Sequence, residues 1–213
     1  MVPGAYIAAY KGEFPFVPEQ TVIQELCGIQ ITVEVLRYER ECGNGIREGR
    51  EMADVTLRKG GRVYTCECID RHNWTNCFCP VTLAGETYLC FRKSLYGFTL
   101  LHTETFAETD YFPEKVLQGE ESFIMADVLS ADDLLFFYGC YWGCPYFYII
   151  YDPASGRFLE LYSLYPMEYE NTLIVQEGTV HLQGKDQGRQ EINVSLTIQE
   201  IKDLLRKKGT EDM

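Results

Sequence analysis

The densest set of chemistry-bearing side chains is Cys66-Glu67-Cys68, His72 and Cys77-Phe78-Cys79, all within fourteen residues. Alternate residues of a strand point to one face, so each Cys-x-Cys presents two thiols together. If the two strands pair so that Cys68 meets Cys77 and Cys66 meets Cys79, four sulfurs share one face of a hairpin. Four thiolates bind zinc tetrahedrally with sulfur at ~2.3 Å. The spacing argues the other way, because sulfurs two residues apart on a flat strand lie ~6–7 Å from each other. Cysteine also behaves as a small, readily buried hydrophobe. Buried thiols are therefore expected at Cys66, Cys68, Cys77 and Cys79, with no cofactor predicted and a zinc-binding module as the alternative.

The second constellation is Cys140-Tyr141-Trp142-Gly143-Cys144-Pro145. In residue types it resembles the Trp-Cys-Gly-Pro-Cys of thioredoxins. Its cysteines, however, are separated by three residues rather than two, and no helix follows whose N-terminus would lower a thiol pKa. The expected role is instead an aromatic platform of Tyr141, Trp142 and Tyr146 for a ligand or partner. The competing expectation is that Trp142 folds back to plug the sheet end. His72, His102 and His181 are isolated, no Gly-x-Ser-x-Gly elbow is present, and no pair among the many carboxylates stands out. A small-molecule hydrolase would have to assemble its site from strand-end loops.

Charge narrows the partners. The net charge of -13 argues against a nucleic-acid backbone, whose binders cluster Lys and Arg. Between Thr103 and Asp133 there are nine acids against one base, Lys115, a solvated face or a docking surface for a basic protein. The bases Arg37, Arg40, Arg47, Arg50, Arg58, Lys59 and Arg62 have acids nearby and read as polar strand faces. No apolar run approaches the ~20 residues that span a bilayer. Nine cysteines, an odd count without an export signal, point to reduced thiols and a cytoplasmic location.

Three strands and two turns occupy Asp133 to Leu161: Leu134 to Tyr138, Tyr146 to Tyr151 and Arg157 to Leu161, with Asp152-Pro153-Ala154-Ser155-Gly156 as the second turn. Shifting the sequence by 49 places Leu100-Leu101-His102-Thr103 on Ile149-Ile150-Tyr151-Asp152, so Thr87 to Phe91, Gly97 to His102 and Asp110 to Phe112 form a similar unit. This period resembles the spacing of β-propeller blades, with an open or sandwiched meander as the alternative. Upstream, Val2 to Tyr10 reads as an edge strand and Thr21 to Cys27 as a short helix stopped by Gly28. Ile29 to Tyr38 alternates as a half-buried strand, and Ala53 to Leu57 with Arg62 to Ile69 forms a hairpin around Lys59-Gly60-Gly61, after a turn at Cys42-Gly43-Asn44-Gly45. Downstream, Leu173 to Val175, Thr179 to Leu182 and Glu191 to Leu196 are strands. Thr197-Ile198-Gln199-Glu200 has the form of a capping box opening a helix to Gly209.

The fold expected is a mainly β, antiparallel meander of tandem three-stranded units with a C-terminal helix. It forms a single domain over 1–213, hairpin-rich over 1–85, with tandem units over 86–196 and the helix over 197–209. The function expected is a non-catalytic, acidic protein-interaction module, in specific form an inhibitor or immunity-type protein for a basic effector.

Overall fold

The computed structural model describes residues 3–43, 47–69, 74, 77–113, 116, 118–120, 122–142 and 144–211. Asn44 and Gly45 of the expected turn, His72, Gly143, and Glu114, Lys115 and Glu121 of the acidic segment lie outside them. The fold is mostly β, with four antiparallel sheets, no closed barrel and a C-terminal helix. Every sheet is a meander, because neighbours in space are neighbours in sequence.

After helix α1 (Pro3–Glu13), the first sheet comprises β1 (Val17–Leu26), β2 (Ile29–Glu41), β3 (Arg47–Lys59) and β4 (Arg62–Ile69). The second holds β5 (Cys79–Leu83), β6 (Glu86–Phe91), β7 (Phe98–His102) and β8 (Glu108–Tyr111), and the third β9 (Ile124–Ala131), β10 (Leu134–Cys140), β11 (Phe147–Asp152) and β12 (Arg157–Glu160). Helix α2 (Leu161–Leu164) precedes the fourth sheet of β13 (Tyr169–Gln176), β14 (Thr179–Lys185) and β15 (Glu191–Thr197), and α3 (Ile198–Glu211) closes the chain. The 49-residue echo superimposes β7 on β11 and β8 on β12. Both meanders carry a fourth strand, β5 or β9, ahead of the three expected.

Contacts divide the chain into two compact units. The first is Met1–Pro80 with Tyr88–Ser122, and the second is Val81–Thr87 with Phe123–Met213. In the first unit the inward row Ile29, Ile31, Val33 and Val35 of β2 is at most 1% exposed and packs with Val55, Leu57, Trp74 and Phe91. In the second, Leu134, Phe136, Ile150 and Leu159 form one core with Leu173, Val180 and Leu182 of the fourth sheet and Ile198, Ile201 and Leu205 of α3.

Two expectations are corrected. Val2 to Tyr10 is not an edge strand but lies largely in α1: Pro3 suits the first helical position, Ala5, Ala8 and Ala9 favour the helix, and Ile7 is buried with Met52 and Ile69. Thr21 to Cys27 is not a helix, because Val22, Gln24 and Leu26 alternate with exposed Thr21, Ile23 and Glu25 along β1. Cys27 and Gly28 both have positive φ, 53° and 69°, and make the two-residue turn between β1 and β2 rather than a helix stop. The capping box forms as expected: Glu200 Oε2 accepts the Thr197 N–H at 2.8 Å, and the Glu200 N–H donates to Thr197 Oγ1 at 3.2 Å.

Candidate functional site

The third sheet gathers the aromatic residues by register. Tyr138 of β10 pairs with Asp127 of β9 on one side and Tyr148 of β11 on the other. Directly opposed residues share a face, so Asp127, Tyr138 and Tyr148 make a row. Tyr146, two residues before Tyr148, joins it: the Tyr138 ring lies 5.3 Å from Tyr146 and 4.8 Å from Tyr148, tilted about 40° to each. Burial pushes the Tyr138 and Tyr148 phenols up, helped by Cys140 beside Tyr138 and by Tyr138 beside Tyr148.

The three expected platform residues do not act as one. Trp142 is 55% exposed and Tyr146 47% exposed, so Trp142 is not a plug. Tyr141 takes the opposite face, where its ring meets Phe123 and Phe147 at 5.9 and 5.8 Å and its hydroxyl donates to Glu160 Oε1 at 2.6 Å. Burial, then the Glu160 carboxylate, pushes the Tyr141 phenol up.

Backbone contacts hold this surface. The Cys144 N–H donates to Tyr141 O at 3.1 Å, closing a turn under Trp142. Asn171 Nδ2 donates to Tyr146 O at 2.5 Å and Met167 O at 3.0 Å, pinning the chain just before β11. At Gly139 the register of β10 on β9 shifts, and a Cβ there would stand 2.0 Å from Ile124 O and 2.6 Å from the Phe123 ring. Only glycine fits the bulge that aims the end of β10.

The cysteines are placed differently from the imagined hairpin. β4 pairs with β3, setting Cys68 against Ala53 and Cys66 against Val55, while Cys79 begins β5 in another sheet. Cys68 and Cys77 are buried at 2% and 3% exposure in the first unit's core, where Cys66 packs against them. The Cys77 thiol approaches Trp74 O at 3.2 Å. All nine cysteines are free thiols, and among the described residues no group of three potential ligands could hold a metal ion.

Of the other candidate bases, His102 Nδ1 accepts the N–H groups of Glu104 and Thr105 at 3.1 and 3.3 Å, fixing a turn. His181 Nδ1 lies 3.0 Å from Ser195 Oγ across β14 and β15. Their face of the fourth sheet carries Ile174, Thr172, Gln176, Thr179, Gln183, Asn193 and Thr197 in the same and adjacent rows, with no carboxylate to orient the imidazole.

The acidic segment is divided too. Glu104 Oε1 meets Lys59 Nζ at 2.6 Å, Glu108 and Asp110 share Lys93, and Asp133 Oδ1 accepts the Ala84 N–H at 2.5 Å. These four carboxylates are thus engaged within the protein. Tyr138, Tyr148 and Asp127 were not singled out by sequence, because only the strand register brings them to Tyr146. No helix among the described residues is long and apolar enough to cross a membrane. No protein-family model matches the chain, and no curated protein matches it. The fold and surface thus define a class only: an antiparallel, meander-built β protein with an exposed aromatic surface edged by a carboxylate.

Proposed function

We propose that the protein is a non-catalytic interaction module that binds a basic protein in the cytoplasm, as an inhibitor or immunity-type protein would, through Trp142, Tyr146, Tyr138 and Asp127. The observation that supports this reading is the 55% and 47% exposure of Trp142 and Tyr146 on a turn fixed by hydrogen bonds. Tyrosine and tryptophan offer large contact area with few rotatable bonds, and they dominate binding energy at protein interfaces. Their ring faces attract Lys and Arg side chains by about 0.5–2 kcal/mol each. A net charge of -13 favours encounter with a basic partner.

The test is capture of partners on the immobilised full chain, beside a Trp142→Ala/Tyr146→Ala double variant. A basic protein should be retained at low salt, released as salt rises and lost from the variant. The variant's stability should stay within about 0.5 kcal/mol of the parent because both side chains are exposed. Equal retention by parent and variant, or retention indifferent to salt, would overturn the reading.

A further inference from the structure

The turns that join β1 to β2 and β3 to β4 border an open depression of about 430 Å³ in the first unit, within the range of small-ligand sites. Both turns have two residues of positive φ, Cys27 and Gly28 at 53° and 69°, and Gly60 and Gly61 at 54° and 79°. A Cβ on Gly60 or Gly61 would find nothing within 4 Å, so the rim is bare backbone. Arg58, Lys59 and Arg62 line the depression with Gln30 and Glu25.

These three cations are not equivalent. Lys59 Nζ ties the turns together, bound to Cys27 O at 3.0 Å and Glu104 Oε1 at 2.6 Å, and the Arg62 guanidinium donates to Glu104 O. The other described arginine side chains of this sheet's strands are also paired: Arg37 with Glu19 and Glu39, and Arg40 and Arg50 with Glu48. Arg58 is the exception, exposed and in none of the ion pairs. Its row across the sheet runs Glu25, Gln30, Arg58, Val63, so the only acid in the row is two strands away, about 10 Å at ~4.8 Å per strand. Arg58 and Glu25 make no ion pair in the structure. The next row on this face is Ile23, Thr32, Thr56 and Thr65, which is uncharged.

We propose that this depression binds an oxyanion, the phosphate or carboxylate group of a small ligand, with the planar guanidinium of Arg58 pairing two oxygens and the Gln30 amide as a second donor. Lys59 and Arg62 bring the cations of the lining to three, against Glu25 in the lining and the Glu104 carboxylate that pairs with Lys59. This site is separate in residues and chemistry from the aromatic surface and stands without it.

The experiment titrates the full chain at low salt with inorganic phosphate, pyrophosphate and citrate, followed by calorimetry and amide chemical shifts. At least one anion should bind saturably and shift the amides of Gly60 and Gly61. Phosphate or pyrophosphate binding without citrate assigns a phosphate ligand, and the reverse assigns a carboxylate. Arg58→Gln should weaken binding about tenfold or more, the size of a charge-assisted hydrogen-bonded contact. Arg58→Lys, which keeps charge but loses the fork, should fall between, and Lys202→Gln, which removes the same charge from α3, should leave binding unchanged. Absence of saturable binding by all three anions, or equal binding by the parent and Arg58→Gln, overturns the proposal.

Discussion

Both units bring tyrosine and carboxylate together on a strand surface, and in the first a lysine lies between them. There, Lys93 Nζ lies 2.7 Å from Glu108 Oε2 and 3.1 Å from Asp110, and 5.9 Å from the centroid of the Tyr64 ring, whose hydroxyl donates to Glu108. Thr99 Oγ1 completes the set by donating to Asp110 Oδ1 at 2.5 Å. In the second unit the row Asp127, Tyr138, Tyr148 with Tyr146 beside it contains no lysine or arginine. The first arrangement is a closed network, with the Lys93 side chain only 10% exposed. The second exposes Asp127 and Tyr146 on its surface. The contrast is therefore one of burial: the first arrangement is enclosed around its lysine, whereas Trp142 and Tyr146 of the second are exposed.

Removing the internal cation should produce the largest effect. Lys93→Met leaves Glu108 and Asp110 facing each other without compensation, and breaking a buried pair in this way costs about 3–5 kcal/mol. The 40% exposure of Glu108 puts the expected loss near the low end, about 3 kcal/mol in urea denaturation. The pH dependence sharpens this. Burial opposes the Lys93 ammonium, but its hydrogen bonds to Glu108 and Asp110 outweigh burial and raise its pKa. That contribution is present below the unfolded lysine pKa of ~10.4 and is lost as pH rises through the folded value. For Glu108, burial is outweighed by the Lys93 and Tyr64 hydrogen bonds and the pKa is lowered, so its contribution is present above ~4.3 and is lost as pH falls through the folded value. In Lys93→Met the alkaline loss should vanish. The deficit relative to the parent should narrow in acid, as Glu108 is protonated. A deficit that is the same at pH 2.5 and pH 8 would show that the network is not the source of the cost.

The two arrangements also differ in how far the sequence reveals them. β10, β11 and β12 are legible because aromatic and β-branched runs alternate with Gly and Pro, and Trp142 stands at the tip between them. β9 is hidden, since counting acids from Thr103 to Asp133 passes over Ile124, Met125, Val128 and Leu129. At β1, Val22, Ile23, Leu26 and Cys27 fit a helical period as well as a strand, and only the pairing with β2 decides. Side-chain networks are less legible still. Lys93 reaches acids fifteen and seventeen residues away, and Tyr138 meets Tyr148 through a register that composition does not specify. The hairpin around Lys59-Gly60-Gly61 that pairs β4 with β3 is legible; the shared face of the cysteines fails because it needs β5 on the other edge of β4, and β5 lies in another sheet.

In the second unit a comparable disruption must come from the backbone. Gly139→Ala places a methyl 2.0 Å from Ile124 O, and neither strand can yield without shifting the bulge. Overpacking of this kind costs about 1–3 kcal/mol, and about 2 kcal/mol is expected here. Because the bulge orients the end of β10, the near-ultraviolet circular dichroism of the tyrosine cluster should change with it. Loss of stability with an unaltered tyrosine signal would detach the bulge from the aromatic surface.

The smallest effect distinguishes a surface that is held in shape from one that is only anchored by its strands. Asn171 donates to the main-chain carbonyls of Tyr146 and Met167, while its Oδ1 is buried without a hydrogen-bond partner. Asn171→Ala therefore removes two hydrogen bonds and also relieves one unsatisfied acceptor, two changes of opposite sign. The expected net loss is about 1 kcal/mol in denaturant, smaller than for Lys93→Met or Gly139→Ala. Its consequence for the surface should exceed its consequence for the fold, since Tyr146 O is the point where the chain is fastened before it enters β11. Amide exchange at Phe147 and the tyrosine ring signals should therefore change in Asn171→Ala while the α3 amides stay protected. If exchange rises equally throughout the second unit, Asn171 supports the core as a whole, and the Tyr138–Tyr146 contact is held by ring packing alone.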